Sequence, residues 1–402
     1  MNIAKKLFCR TYQFAFHAAL PFLPYREPEI LKSTDEIPSV IKRLSINSAL
    51  VITDSFLKGS GATEKLENAL ISNGIKCVVF DKTRPNPTVD NVTEALKLYM
   101  ENDCKSLIAF GGGSAIDCAK ALGARISYKG KELSRLKGNL KIFRKLPPLF
   151  AVPTTAGTGS EVTVTAVITD TVKKHKYTMN SFPLIPHFAV LDPENTYTLP
   201  KSLTATTGMD ALTHAVEAYI GRSTSKETRA LSKEAVKLIF ENIEAAYNQP
   251  ENYDARNNML RAAYKAGIAF SKSYVGYIHA VAHSLGGQYN VPHGLANAVL
   301  LPIGLEAYGD KIHKKLYTLA VFSGVANESD TIEAGAKKFI EKVKILNKSM
   351  GIPETISGIK KDDIPIMAKH ADKEGNPLYP VPVLLSSSEL EKFYYKVADW
   401  RK

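Results

Sequence analysis

The sequence contains one tryptophan, four cysteines and no apolar run approaching the roughly 18 residues that a membrane-spanning helix requires. Stable membrane insertion is therefore not expected of it. Cys9, Cys77, Cys104 and Cys118 lie far apart and form no C-x-x-C pair. That spacing argues against a disulfide framework or a thiolate metal site, and for reduced thiols in a cytoplasmic protein. Nor is there a long basic block. The net charge of +12 comes from lysines and arginines dispersed among acidic residues, a general bias toward anions that leaves no footprint for nucleic acid. Internal repeats and low-complexity tracts are absent.

One stretch imitates a targeting signal: Lys5 and Lys6 precede "LFCRTYQFAFHAALPFLPY". Arg10, His17, Pro21 and Pro24 interrupt it, and no small-residue cleavage site follows, so we read it as an amphipathic segment packing on the domain or on a partner subunit. With 45% hydrophobic and 23% charged residues the remainder is ordinary globular sequence, and its length predicts two domains.

From about residue 48 short β-branched runs alternate with helical stretches: "SALVIT", "ATEKLENALISNG", "KCVVF", "VDNVTEALKLYMEN", "SLIAF", a helix after Gly113, and "PLFAVP". This rhythm predicts a parallel sheet with crossover helices. "EVTVTAVITD" and "KKHKYTMN" read as a hairpin beside that sheet. After "LDPENTYTLP" the strands stop, and the apolar spacing in "KEAVKLIFENIEAAY" and "EAGAKKFIEKVKILNKSMG" is helical. The expected architecture is an α/β domain with a Rossmann-like parallel sheet over residues 1–199, followed by an all-helical domain over 200–402. A crevice between such halves is a natural place for a site that draws on both.

"SLIAFGGGSAIDCAKALGA" runs from a buried strand through three glycines into a helix expected to start near Ser114. Such a turn lets backbone N–H groups and the positive end of the helix dipole meet a pyrophosphate, although it lacks G-x-G-x-x-G spacing. "VPTTAGTGSEVT" adds the hydroxyls of Thr154, Thr155 and Thr158 beyond another strand end, where ligands of open α/β sheets bind. Asp54, closing "ALVITD", is placed to accept from a ribose hydroxyl. Its charge would repel a 2′-phosphate, which favours NAD over NADP.

In the helical half, "TTGMDALTHAVEAYIG" begins a helix and sets Asp210 and His214 four residues apart on one face. "HAVAHSLGGQYNVPHG" repeats that spacing with His279 and His283, and His293 follows a glycine and proline break that can fold it back beside them. Five candidate ligands result. One carboxylate with several imidazoles suits Fe²⁺ or Zn²⁺, whereas Mg²⁺ or Ca²⁺ would want more oxygen ligands.

"GGGSAIDCAK", "PTTAGTGSEVT", "GMDALTHAVEAY" and "HAVAHSLGGQYNVPHGLANAVLLP" together resemble the iron-containing, group III alcohol dehydrogenases, in order over about residues 48 to 305. The resemblance implies that Asp210, His214, His279 and His293 bind the metal while His283 faces nicotinamide and substrate. It also implies that Asp54 meets the adenosine ribose, that Asn86 of "RPNP" approaches the cofactor, and that Gly112, Gly113 and Ser114 hold its pyrophosphate. Thr154, Thr155 and Thr158 would line the cofactor, with Lys176 a further contact. The implied enzyme is a homodimer that transfers a hydride between a primary alcohol or small diol and NAD(P), the metal polarising the substrate oxygen. Rival readings are a zinc-dependent glycerol or polyol dehydrogenase and a dehydroquinate-synthase-like lyase that uses NAD transiently. A metal-stabilised nucleic-acid binder is a third, and dispersed charge argues against it. No motif is assigned to the first 45 residues or to the tail from about Gly351.

Overall fold

A computed structural model describes residues 1–172 and 175–400. The chain divides into two compact units, Pro24–Leu199 and a helical unit made of Met1–Leu23 with Pro200–Lys402. In the first unit the strands are β1 (Glu29–Leu31), β2 (Ser48–Ile52), β3 (Lys76–Phe80), β4 (Ser106–Gly111), β5 (Gly138–Asn139), β6 (Leu149–Pro153), β7 (Thr165–Asp170), β8 (His175–Asn180) and β9 (Phe188–Val190). A six-stranded sheet has the order β1-β9-β6-β4-β2-β3, with every pairing parallel.

Strands β2, β4 and β6 are buried along their whole length, which accounts for their continuous apolar runs. Alternate residues face opposite cores. Leu50, Ile52, Leu107 and Ala109 point to one side, and Ala49, Val51, Ile108 and Phe110 to the other. The second side is covered by two helices, Ile37–Arg43 and Glu64–Ser72, through Val40, Ile41, Leu66 and Leu70. The first is covered by Val89–Glu101, opened by a Thr88/Asn91 capping box, and by Gly113–Ser127, whose small alanines let it lie close to the sheet.

The expected hairpin is real but not part of this sheet. β7 pairs antiparallel with β8, and β8 pairs with β5 to make a separate three-stranded sheet, while Lys173 and Lys174 of the predicted strand lie outside the described residues. β1 was not foreseen, because three residues with one buried side chain show no period.

The helical unit comprises α1 (Ile3–Ala19), α7 (Lys201–Ile220), α8 (Lys226–Asn248), α9 (Tyr253–Ser273), α10 (Tyr277–Tyr289), α11 (His293–Tyr308), α12 (Asp310–Phe322), α13 (Ile332–Ser349), α14 (Ile364–Gly375) and α15 (Ser387–Val397); α2 to α6 are the α/β-unit helices Ile37–Arg43, Ser55–Gly59, Glu64–Ser72, Val89–Glu101 and Gly113–Ser127. α7 is buried almost throughout. It starts at Lys201 behind Pro200, so Asp210 sits in mid-helix rather than at the helix start that its motif suggested.

The N-terminal segment also departs from the expected division at residue 199. Residues 1–23 belong with the helical unit: Cys9 and Gln13 are buried there, and Lys5 pairs with Asp372 at 2.8 Å. Gln13 Nε2 donates to the carbonyls of Tyr379 and Pro377, and Arg10 Nη1 and Nη2 donate to those of Val381 and Pro382. These polar anchors are tertiary contacts that the local composition of α1 does not announce.

Candidate metal centre and cofactor cradle

α7 carries Asp210 and His214 one turn apart, α10 carries His279, and α11 begins with His293. α10 ends at Asn290 in the left-handed conformation (φ 54°), and Pro292 caps α11, so the break that turns His293 back uses asparagine and proline. Gly294 permits the approach: a Cβ there would lie 2.6 Å from the Thr206 carbonyl oxygen of α7.

One ligand atom from each of Asp210, His214, His279 and His293 falls within 4.8 Å of the others. His293 Nε2 is 3.4 Å and His279 Nε2 3.9 Å from Asp210 Oδ1. The His214 ring stacks between Phe270 and His279, with centroids 4.2 and 4.6 Å away. Asp210, His214 and His279 are buried, and His293 is the more open member. Burial, with the neighbouring His214, His293 and His283 rings, pushes the His279 imidazole well below its ordinary pKa, so it is neutral and has a lone pair to give.

His279 Nε2 is buried with no hydrogen-bond partner among the described residues. An orphaned ring nitrogen beside a buried carboxylate and two further imidazoles is the donor set of a divalent iron or zinc site.

The opposite edge of the His279 ring is held by Glu217, again on α7. Its Oε2 accepts from His279 Nδ1 at 2.6 Å and from Gly276 N at 2.8 Å, and its Oε1 accepts from Ile278 N at 2.9 Å. Gly276 is glycine because a Cβ there would lie 2.5 Å from Glu217 Oε1. Burial pushes Glu217 up to about 7 despite these donors. On the Asp210 side, buried Asn297 donates from Nδ2 to Asp210 Oδ1 at 2.6 Å and lies 3.1 Å from His293 Nε2.

His283 stands apart from the four. It is exposed, stacks on His293 at 5.1 Å, and its Nδ1 meets Glu374 Oε1 of α14 at 2.6 Å. Tyr379 OH donates to the same oxygen at 2.7 Å. Burial would raise the Glu374 pKa, but His283 and these two hydrogen bonds outweigh it and hold the carboxyl below its ordinary value.

In the α/β unit, three strand ends carry the expected cofactor residues. β4 leads through Gly112 into α6 at Gly113. A Cβ on Gly112 would stand 3.2 Å from Thr155 Cγ2, and one on Gly113 2.9 Å from Thr158 Cγ2, so these glycines let the two loops touch. Ser114 is in the first turn, and Thr154, directly after β6, donates from its backbone N–H to Gly111 O at 3.1 Å. Asp54 follows β2 and caps α3, its Oδ1 accepting from Leu57 N at 2.9 Å. Asn86 (φ 57°) accepts from Lys176 Nζ at 2.7 Å, which brings two sequence-selected residues together.

Beneath this cradle lies an ionic cluster. Lys120 on α6 is fully buried and donates to Thr163 O, Thr163 Oγ1 and Thr165 O, each at 2.8 Å. Asp117, one turn earlier, accepts from Val167 N at 3.0 Å and Ser160 Oγ at 3.4 Å. Burial lowers Lys120 to about 8, opposed by Asp117 and Glu161, and raises buried Glu161 to about 7. The cluster ties α6 to the segment that follows Thr158.

A model described as "Iron-containing alcohol dehydrogenase" matches residues 31–193, and one described as "Fe-containing alcohol dehydrogenase family, C-terminal" matches 204–397. The chain belongs to the iron-containing alcohol dehydrogenase family. Alcohol dehydrogenase 4 of Saccharomyces cerevisiae (strain YJM789) is 38% identical over 341 residues, 84% of this chain and 87% of the relative. The solved structure of a 1,3-propanediol oxidoreductase superposes with a TM-score of 0.88 at 35% identity, covering 93% of this chain and 98% of that one. A sulfoacetaldehyde reductase from Bifidobacterium kashiwanohense, solved in complex with NAD⁺, has a TM-score of 0.85 at 27% identity, covering 94% and 99%. This iron-containing alcohol dehydrogenase is thus a metal-dependent alcohol or aldehyde oxidoreductase that moves a hydride to or from a nicotinamide cofactor.

Sequence reasoning passed over Glu217, Asn297, Glu374, Asp117, Lys120 and Glu161. For Glu217 a signal existed. Asp210, His214 and Glu217 recur at i, i+4 and i+7 on one helix face, the period already used for the first two.

Proposed function

We propose that Asp210, His214, His279 and His293 hold Fe²⁺, with Zn²⁺ as the alternative occupant, and that the substrate is a small primary alcohol or diol or the matching aldehyde. The convergence of the four donors within 4.8 Å around the orphaned Nε2 of His279 carries this reading. Bound there, the ion supplies Lewis acidity that polarises the substrate oxygen. The nicotinamide supplies the hydride acceptor or donor. Glu217 fixes the ring and tautomer of His279 so that Nε2 is the coordinating atom, and Asn297 orients Asp210. His283 takes the hydroxyl proton during alcohol oxidation and returns it during carbonyl reduction, a role supported by its exposure and by its place against His293 outside the ligand set.

NAD is the preferred dinucleotide, with Asp54 beside the ribose. Gly112, Gly113 and Ser114 at the α6 N-terminus receive the pyrophosphate, while Thr154, Thr155, Thr158 and the Asn86–Lys176 pair line the cofactor. We place the enzyme in the cytoplasm as a homodimer. Four cysteines without a disulfide and the lack of a membrane-crossing helix among the described residues support the compartment, and the exposed apolar side chains Ile3, Leu7, Phe8 and Phe14 of α1 support self-association. The test is anaerobic reconstitution with Fe²⁺ or Zn²⁺, followed by assay of primary alcohols, diols and aldehydes with NAD(H) and NADP(H). Turnover that requires neither metal would overturn the reading.

A further inference from the structure

The tail beyond Gly351 carried no motif, yet it supplies Glu374, and the N-terminal helix, which lies outside both family matches, supports the segment next to it. A chain of contacts within the helical unit joins them. Gln13 and Arg10 of α1 fasten the carbonyls of residues 377, 379, 381 and 382. The backbone so held presents Tyr379, whose hydroxyl donates to Glu374 Oε1, and that oxygen also meets His283 Nδ1. The C-terminal end of α14 is fixed as well, since Tyr379 N donates to Gly375 O at 2.8 Å and Lys5 pairs with Asp372.

We infer that Glu374 is a positioning residue for His283, selecting the Nδ1-protonated tautomer, and that α1 is the brace that keeps Glu374 in place. The inference rests on the reading of His283 as the proton-handling group. A carboxylate can only accept, so a 2.6 Å contact at Nδ1 puts the ring proton there and makes Nε2 the basic nitrogen. The same contact stops ring rotation about χ2 in a side chain that is otherwise exposed, and orientation is the property that a proton acceptor outside the ligand set must borrow from its surroundings. Tyr379 is nearly buried and has its hydroxyl on Glu374, so a displacement of the 377–382 backbone moves the carboxylate. Arg10 and Gln13, whose side chains donate to four carbonyls of that backbone, lie outside the ranges that the family models match.

The test uses the full chain loaded with Zn²⁺, labelled with ¹⁵N-histidine, and read both by turnover and by the ¹⁵N shifts of His283, identified by their loss in His283→Ala. Wild type is expected to show protonated Nδ1. Glu374→Ala is expected to lose that tautomer preference, with metal content and KM near wild type and kcat down about 10-fold to 100-fold. Glu374→Gln, which keeps an acceptor oxygen, recovers part of both. The double variant Arg10→Ala/Gln13→Ala is expected to move the His283 shifts in the same direction and to lower kcat severalfold. Unchanged shifts and kcat in Glu374→Ala overturn the inference. A lower melting temperature with wild-type shifts in the double variant overturns the brace. Normal turnover in His283→Ala, with Glu374→Ala still altering the tautomer, instead overturns the proton-handling role and leaves the positioning intact.

Discussion

Glu217 Oε2 stands 2.6 Å from His279 Nδ1 in a pocket where both side chains are almost completely buried. On the proposed metal site, the pair lets Glu217 set metal affinity without touching the metal. Glu217→Gln keeps the shape of the side chain but no longer offers two equivalent acceptor oxygens to three donors. We expect the variant to fold and to bind Fe²⁺ or Zn²⁺ about 10-fold to 100-fold more weakly. Competition against a chelator reads this directly, and an unchanged affinity would reduce Glu217 to a packing residue.

His279→Ala and His293→Ala should each lose both bound metal and turnover, because each removes one of the four proposed donors. His283→Ala should keep its metal and lose about 10²-fold to 10⁴-fold in rate. Metal analysis and turnover on the same preparations separate the two classes. Full occupancy in either ligand variant would refute the assignment.

Asp54 has a structural job besides its proposed place at the ribose, and a careless substitution would confuse the two. It caps α3, and its removal by Ala therefore carries a stability loss of roughly 0.5–2 kcal/mol unrelated to cofactor choice. Asp54→Asn keeps a capping oxygen and removes the charge. The expected outcome is an NADP/NAD specificity ratio raised by about 10-fold or more at unchanged melting temperature, the equivalent of one charge-assisted hydrogen bond. Steady-state kinetics with both cofactors checks it.

Glu161 is buried and raised to about 7 from an ordinary 4.5. A carboxyl whose pKa is higher in the folded state adds stability that is complete below the unfolded value and is lost as pH rises through the folded one. Between pH 4.5 and about 7 wild type should therefore lose stability relative to Glu161→Gln, by an amount on the order of 3 kcal/mol. Denaturant unfolding of both proteins at pH 5 and pH 8 gives the comparison. Parallel pH dependence in the two would show that the Lys120 ammonium holds Glu161 ionised throughout.

Much of this molecule could be read before its coordinates. Continuous runs such as "SALVI" and "LFAVP" are strands because both faces are buried, and His279 and His293, scarce and clustered in the sequence, converge in space with Asp210 and His214. What escaped did so for physical reasons. β1 and β5 have three and two residues, too short for any period. Glu374 lies 91 residues from His283, on an otherwise ordinary amphipathic helix, and only tertiary folding brings them together. Lys120 looks like a surface lysine on a helix until three oxygens close around its ammonium. The division at residue 199 missed α1 because sequence neighbourhood was taken for spatial neighbourhood.

That last displacement sets an order of events during synthesis. Gln13 and the Tyr379 carbonyl to which it donates are 366 residues apart, so α1 leaves the ribosome long before its seat exists. Residues 24–199 can close their own sheet meanwhile, whereas the helix must wait for the residues around 377–382 and then close the longest hydrogen-bonded loop among the described residues. Cys9, 1% exposed in the finished structure, records the moment of docking. In refolding from denaturant its thiol should stay open to a pulse of alkylating reagent after Cys104 and Cys118, in the core beside the large sheet, have become protected.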